Sequence, residues 1–285
     1  MKFRIPKRRK KAFAVLPTLL TLGNGMCGFG AITLVGGAAA GADPAMPFFT
    51  AGCLIFLAML FDGLDGAAAR WTNQESNFGA QLDSLSDAIS FGVAPAVLML
   101  EMVRPYGYHP RVLWVAAALY AVCALLRLAR FNATPDDSHK PGEFCGLPSP
   151  GAAAVVASFP IMLYGPQLMS DGQPGPVEAT ICEWATRLLP VVTVGVACLM
   201  VSRIPYAHAF HRLVRGRRSG AHLIRLVFAA AVIVAFPRVT VPLLVCGYAF
   251  SPPVMALWTR YRHGPPPPGP VEPVAAGEAD ARPPT

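Results

Sequence analysis

Charged residues are scarce in this sequence: of its 285 residues only 14% are Asp, Glu, Lys or Arg, whereas 54% are hydrophobic. Ordinary soluble domains carry about 25% charged residues. The deficit is spread over repeated apolar stretches of about 20 residues, which is the length that a helix needs to cross a bilayer. The composition therefore excludes an ordinary soluble domain and predicts a multi-pass membrane protein.

Paired cysteines are also missing. The seven cysteines are odd in number and none belongs to a C-x-x-C pair. Most lie in apolar stretches, where a free thiol behaves as a small hydrophobic group. Neither a disulfide framework nor a zinc site is predicted.

The net charge of +8 is concentrated at a few points of the chain. Seven of the 24 basic residues lie within the first eleven positions, and five more lie between Arg203 and Arg218. Each cluster borders an apolar stretch, which is typical of cytoplasmic segments that contact anionic lipid headgroups. We therefore expect membrane lipids as partners and no nucleic acid.

The apolar stretches predict an all-α, polytopic bundle of about eight transmembrane helices. The predicted spans are 13–39, 47–70, 79–103, 111–133, 149–169, 186–202, 221–236 and 239–260. Around them we expect a basic cytoplasmic tail (1–12), a membrane core (13–202), a basic interfacial segment (203–220), two C-terminal transmembrane helices (221–262) and a disordered Pro-rich tail (263–285).

The distribution of basic residues predicts the orientation of these spans. With the N-terminus in the cytoplasm, 20 basic residues fall on the inside and four on the outside. Such a bias favours this topology. We expect an integral protein of the cell (inner) membrane.

Four aspartates stand at the ends of two successive spans. Asp62 and Asp65 end the second span, and Asp83 and Asp87 open the third, in the pattern D-G-L-D-G-A-A-A-R followed by G-A-Q-L-D-S-L-S-D. Carboxylates at the mouth of a bilayer are costly and usually mark function. At 100° per residue each pair lies on one helix face, and a short connection makes the two helices antiparallel neighbours. The same faces carry Gly66, Ala69, Arg70 and Gly79.

Facing aspartates need a counter-charge. Ionised carboxylates ~5 Å apart repel by roughly 3 kcal/mol per pair at an effective dielectric constant of ~20. Divalent cations remove that repulsion, and an oxygen-only ligand set suits Mg²⁺ or Mn²⁺ better than zinc. The small residues allow a ligand to approach the backbone, and Arg70 offers a fork for phosphate. The sequence thus predicts a divalent-metal site that holds a phosphate diester on the cytoplasmic side.

The eight-residue pattern resembles the signature of the CDP-alcohol phosphatidyltransferase family over roughly residues 13–200. The resemblance implies a six-helix family core, here followed by two further helices, and transfer of a phosphatidyl group from CDP-diacylglycerol to an alcohol with release of CMP. It further implies that Asp62, Asp65 and Asp83 hold two metal ions and that Asp87 is both a metal ligand and the general base. The residues implied in binding the CDP-lipid are Gly66, Ala69, Arg70 and Gly79, together with Thr21 and Asn24 of the first span.

Two shorter motifs bear on the acceptor alcohol. R-L-A-R-F-N (127–132) and G-L-P-S-P (146–150) resemble the phosphatidylserine synthase branch of the family. The branch implies L-serine as acceptor, with Arg127, Arg130 and Asn132 as candidate acceptor-binding residues. Alternatively, the arginines extend to lipid headgroups or pair with the aspartates.

Other functions remain open at this point. The same chemistry would serve glycerol 3-phosphate, inositol phosphate or choline as acceptor. A transporter that uses the acids as an ion path fits poorly, because no acid lies near the middle of a span. A non-catalytic scaffold is disfavoured because every signature position is intact. We expect the glycine-rich first span to pack against neighbouring helices and to serve a homodimer.

Overall fold

The chain folds into a bundle of long helices. The computed structural model describes residues 7–38, 44–72, 77–133, 146–169, 176–202, 204, 206 and 237–263, and these residues contain no strand. The helices are α1 (Lys7–Ala38), α2 (Ala45–Thr72), α3 (Asn77–Asp87), α4 (Ala94–Val103), α5 (Pro110–Ala133), α6 (Ser149–Met169), α7 (Pro176–Val201) and α8 (Pro237–His263). A π-helical segment (Ala88–Val93) joins α3 to α4, and a 3₁₀ turn (Arg104–Tyr106) follows α4.

The predicted all-α, polytopic membrane fold is confirmed. Five segments of the described chain are long and apolar enough to cross a membrane, namely Leu16–Ala38, Ala45–Ala68, Phe78–Tyr106, Pro110–Ala133 and Ala179–Val201. Shorter apolar stretches occupy Ser149–Gly165 in α6 and Thr240–Met255 in α8. The predicted span 221–236 lies outside the described residues, as do the Pro-rich tail from residue 264 and all but 204 and 206 of the interfacial segment.

The sixth predicted span begins seven residues too late. We expected 186–202, whereas the apolar segment of α7 begins at Ala179 and the helix itself at Pro176. The missed residues include Glu183, an acid in an otherwise apolar stretch, which forms a 2.7 Å ion pair with Arg187 one turn later. Ion pairs at this spacing stabilise a helix modestly.

Small residues allow α1 and α2 to approach their neighbours closely. A Cβ on Gly28 of α1 would lie 2.6 Å from the Cα of Ser90, and one on Gly52 of α2 would lie 2.9 Å from the carbonyl oxygen of Ala157 in α6. Contacts this short admit no side chain, so glycine allows the backbones to meet. The bundle is consequently tight around the middle of α1 and α2, where Ile55 is fully buried.

The third span is not one continuous α-helix. The π-helical segment Ala88–Val93 begins immediately after Asp87, and both flanking residues keep right-handed helical backbone angles. Such wide turns disturb the regular ladder of hydrogen bonds, and in a bilayer the affected groups need partners from the protein. The Tyr120 hydroxyl of α5 donates to the Phe91 carbonyl at 3.1 Å.

The start of α6 is anchored to the end of α7. Gly146 has a φ of +88°, and a Cβ there would lie 2.5 Å from the Met200 carbonyl oxygen. Its N–H donates to the Ile204 carbonyl at 2.9 Å, and the Leu147 N–H donates to the Leu199 carbonyl at 3.0 Å. Only glycine tolerates both this backbone conformation and this proximity. The turn fixes where the first residues of α6 lie.

Candidate metal and substrate site

Three of the four aspartates meet at one end of the bundle. Carboxylate oxygens of Asp62, Asp83 and Asp87, one from each residue, all lie within 4.8 Å of one another, and each side chain is half-buried. Asp62 comes from the C-terminal half of α2, while Asp83 and Asp87 lie one turn apart on α3. The structure therefore brings together the carboxylates of two helices, as the helix-face argument predicted.

Asp65 adjoins this cluster, because its carboxyl group is within hydrogen-bond reach of that of Asp83. It is the most buried of the four aspartates, with 6% of its surface exposed. Its Oδ2 accepts a 3.0 Å hydrogen bond from the hydroxyl of Thr21 in α1. The same hydroxyl lies 3.0 Å from the Pro17 carbonyl oxygen of its own helix. The Oδ1 atom of Asp65 is not engaged by Thr21.

Asn24 links α1 to the aspartate cluster. Its side-chain amide donates to Oδ1 of Asp87 at 2.8 Å. Its main-chain carbonyl accepts from the hydroxyl of Ser90 at 2.8 Å. Because Ser90 belongs to the π-helical segment and contacts Gly28, the position of Asp87 depends on the close approach of α1 to that segment.

Two buried oxygens at the site lack hydrogen bonds within the described protein. They are Oδ1 of Asp83 and Oδ1 of Asn24. A buried acceptor without a partner costs about 1–3 kcal/mol. A divalent cation among the carboxylates would coordinate such an oxygen and would also neutralise the clustered charge. The donor set, which consists of oxygens alone, fits Mg²⁺ or Mn²⁺.

The predicted CDP-lipid residues lie on α1, α2 and α3, the helices that form the site, but their surroundings differ. Thr21 and Asn24 both hydrogen-bond to the aspartates, so in this structure they orient the carboxylates. Gly66 and Gly79 are half-buried on α2 and α3. Ala69 and Arg70 lie in the last turns of α2, but their side chains are outside the described part of the structure. Beside Asp62, the Gly63 position faces open space, because a Cβ there would meet no atom within 4 Å.

The candidate acceptor residues of α5 differ in their surroundings. Arg127 is half-buried, and its Nη1 donates a 2.7 Å hydrogen bond to the hydroxyl of Ser149. The guanidinium also lies close enough to the Asp87 carboxylate to interact with it electrostatically. Arg130, in contrast, is exposed. Asn132 is exposed and donates to the Ser84 hydroxyl at 2.9 Å.

Four residues at or near the site were not singled out from the sequence. Ser90 and Tyr120 support the π-helical segment, Ser149 holds Arg127, and Tyr248 of α8 lies within electrostatic range of Arg127. Ser149 belongs to the G-L-P-S-P motif, so its neighbourhood was recognised although its role was not. The other three carry no local signal, because their importance comes from contacts between distant helices.

Fold and site together define a helical integral membrane protein with an oxygen-only acidic centre between its first three helices. Comparison with known families agrees with this class. The sequence model of the CDP-alcohol phosphatidyltransferase family matches residues 14–197, which is well over half of the chain. The chain belongs to this family.

Curated relatives share the same region. The CDP-diacylglycerol–serine O-phosphatidyltransferase of Mycobacterium leprae is 37% identical over 192 residues, which are 64% of this chain and 57% of the relative. The protein of that name from Mycobacterium tuberculosis is 35% identical over 202 residues, 68% of this chain and 64% of the relative. An archaetidylserine synthase from Methanothermobacter thermautotrophicus is 38% identical over 151 residues, 52% of this chain and 58% of the relative. The matches therefore span less than two thirds of these relatives.

Proposed function

We propose that this protein transfers the phosphatidyl group of CDP-diacylglycerol to the hydroxyl of L-serine, forming phosphatidylserine and CMP. The observation that carries the proposal is the convergence of Asp62, Asp83 and Asp87 within 4.8 Å. The names of the curated relatives support the donor and the acceptor. The Arg127 guanidinium near Asp87 supports an acceptor that carries a negative charge.

Two divalent ions, Mg²⁺ or Mn²⁺, would be held by Asp62, Asp65, Asp83 and Asp87. When bound, such ions neutralise the diphosphate and stabilise the departing CMP. The unpartnered Oδ1 of Asp83 is the buried oxygen that is best suited to this role. Thr21 would keep Asp65 turned toward the cluster through its hydrogen bond to Oδ2.

Asp87 would be the general base of the reaction. Asn24 holds Oδ1 of Asp87, which orients the carboxylate and leaves Oδ2 as the oxygen that can take a proton. A serine hydroxyl is a weak nucleophile at neutral pH, so a base within hydrogen-bond reach accelerates its attack. The hydroxyl oxygen would bond to the phosphorus of the phosphatidyl group while its proton passes to Asp87. The bond from that phosphorus to CMP would break, and CMP would leave with the electron pair.

The nucleotide half of the donor would lie along the ends of α2 and α3. Gly66, Ala69 and Gly79 have little or no side chain, which allows a flat ligand to reach the helix backbone. Arg70 would pair with a phosphate oxygen of the donor. The acyl chains would stay in the bilayer, next to Leu64 and Leu85, which are exposed on α2 and α3.

On the acceptor side, Arg127 and Arg130 would attract the carboxylate of serine, and Asn132 would lie at the entrance. The 20-to-4 bias of basic residues supports an active site at the cytoplasmic face of the inner membrane. We further propose that the protein forms a homodimer.

An acceptor panel tests this function. Membranes that carry the protein, or an Asp83→Asn variant as background control, are supplied with CDP-diacylglycerol and one acceptor at a time. We expect CMP release with L-serine and little with glycerol 3-phosphate, inositol phosphate or choline. If CMP release does not depend on serine but requires one of the other alcohols, that alcohol is the acceptor and the transfer of the phosphatidyl group still stands. Absence of release with every acceptor would contradict the enzyme assignment.

A further inference from the structure

Helix α8 lies beyond residues 14–197, which the family shares, yet it packs directly on the site-facing end of α6. A Cβ on Gly151, in the first turn of α6, would lie 3.3 Å from Cε1 of Tyr248. The Tyr248 ring therefore rests against the helix end that also carries Ser149. Because Ser149 binds Arg127, the ring and the guanidinium share one support.

The position of Tyr248 is set by a second tyrosine. Tyr206 follows α7 and is 2% exposed. Its hydroxyl donates a 2.8 Å hydrogen bond to the Ala249 carbonyl, and its ring meets that of Tyr248 edge-on with centroids 6.1 Å apart. Tyr206 is itself placed by the turn at Gly146, whose N–H binds the Ile204 carbonyl. Thus α8 is fastened to α6 and α7 at the level of Tyr248.

One edge of the Arg127 guanidinium is not occupied by Ser149 and can donate further hydrogen bonds. Its Nη1 binds Ser149, whereas its Nε is buried and has no hydrogen-bond partner among the described residues. The edge formed by Nε and Nη2 is the one through which arginine commonly holds a carboxylate with two parallel hydrogen bonds. The Tyr248 hydroxyl likewise has no hydrogen bond to any described residue, and it lies within electrostatic range of the same guanidinium.

We propose that the Tyr248 hydroxyl and the free edge of Arg127 together bind the carboxylate of the acceptor, so that α8 sets which alcohols are accepted. This inference rests on the proposed function. A phenol and one guanidinium offer neutral and singly charged donors, which match a carboxylate. They match a doubly charged phosphate monoester less well, and a cationic acceptor would be repelled by Arg127. Tyr248 would act on the binding of the acceptor and leave the reacting hydroxyl to Asp87.

The substitution Tyr248→Phe removes the hydroxyl and keeps the ring that packs on Gly151 and Tyr206. A hydrogen bond to a charged group is worth roughly a tenfold to hundredfold change in binding. We therefore expect the KM for L-serine to rise at least about tenfold, with kcat and the KM for CDP-diacylglycerol nearly unchanged. Tyr261→Phe is the matched control, because Tyr261 lies on the same helix and is 91% exposed.

L-alanine provides a second readout. It carries the amino and carboxylate groups of serine but no hydroxyl, so it should inhibit without being consumed. In Tyr248→Phe its inhibition constant should rise by the same factor as the KM for serine. An unchanged KM for serine in an active enzyme overturns the inference alone. A fall in kcat with an unchanged alanine constant also overturns it, because Tyr248 would then act on the reacting hydroxyl. A wild-type protein that does not use serine refutes the proposed function instead.

Discussion

The side-chain amide of Asn24 donates a 2.8 Å hydrogen bond to Oδ1 of Asp87, which lies 63 positions further along the chain. This bond ties the proposed base to α1, a helix that itself contributes none of the four aspartates. The main-chain carbonyl of Asn24 is bound in turn by Ser90. One residue thus holds the proposed base through its side chain and the following π-helical segment through its backbone.

Removing the amide should impair turnover without preventing folding. In Asn24→Ala, Asp87 loses the donor that orients it, and we expect the rate of CMP release at saturating substrates to fall by about 10- to 100-fold, as for other residues that orient metal ligands. Thr33→Ala serves as control, because Thr33 is an exposed residue of α1 whose hydroxyl binds only the Gly30 carbonyl. Wild-type turnover in Asn24→Ala would show that Asp87 needs no such orientation.

Metal removal should abolish the reaction. Exhaustive chelation is expected to stop CMP release, and added Mg²⁺ or Mn²⁺ should restore it. Binding is measured separately by the electron paramagnetic resonance of Mn²⁺ added to the purified protein. Asp83→Asn should weaken Mn²⁺ binding by at least about tenfold, since loss of a ligand should cost no less than loss of a residue that orients one. Glu183→Gln removes an acid that is ion-paired with Arg187 and should leave Mn²⁺ binding unchanged. Activity that survives chelation would contradict the metal site.

Asp87→Asn separates the two roles proposed for this residue. The amide cannot accept the serine proton, so we expect CMP release to fall by about 10²- to 10⁴-fold. Binding of CDP-diacylglycerol, measured by calorimetry in detergent, should remain close to that of the wild type. If donor binding and Mn²⁺ binding disappear together with turnover, Asp87 is needed chiefly as a ligand.

The contact between Gly28 and Ser90 predicts an effect on stability. A methyl group on Gly28 would meet the Cα of Ser90 at 2.6 Å, so α1 must move away from the π-helical segment. Overpacking of this kind typically costs about 1–3 kcal/mol. Gly28→Ala should therefore lower the midpoint of thermal unfolding in detergent, and it should lower CMP release because Asn24 moves with α1.

Gly36→Ala is the matched control for that change. A Cβ on Gly36 meets no atom within 4 Å, and this glycine lies on the same helix. Alanine at such a position should be neutral or slightly stabilising, by up to about 1 kcal/mol, because it restricts the unfolded chain. Equal unfolding midpoints for the two variants would contradict the close contact between the helices.

Much of this architecture could be predicted from the sequence, because the helices and their faces are encoded by patterns of nearby residues. Apolar length predicts the helices, and the i, i+3 and i, i+4 spacings of Asp62, Asp65, Asp83 and Asp87 place each pair on one helix face. The meeting of Asp62 with Asp83 and Asp87 follows from those faces and a short connection. What a helix face cannot reveal is which carboxylate receives a hydrogen bond from another helix. The hydrogen bond that Asp65 accepts from Thr21, 44 positions away, could therefore not be predicted.

Features that depend on tertiary contact left no pattern to detect. The π-helical segment has an ordinary apolar sequence, A-I-S-F-G-V, and it is supported by Tyr120, 29 positions beyond Phe91. The sequence around Tyr248 predicts a membrane span and nothing more. Its neighbours Tyr206 and Gly151 belong to two other parts of the chain. Their grouping became visible only when the helices were assembled.

The wide turn at Ala88–Val93 separates the long third span into two halves with different rotational phase. An α-helix advances 100° per residue, whereas a π-helix advances by a smaller angle. The π-helical segment therefore rotates the side chains of α4 relative to those of α3. Leu98 and Met99 can therefore face the protein interior while Asp83 and Asp87 face the cluster. Deleting a single residue from this segment would change the rotation between the two halves. Either Leu98 and Met99 would remain buried and the carboxylates would turn away from the cluster, or the carboxylates would stay in place and Leu98 and Met99 would leave the interior.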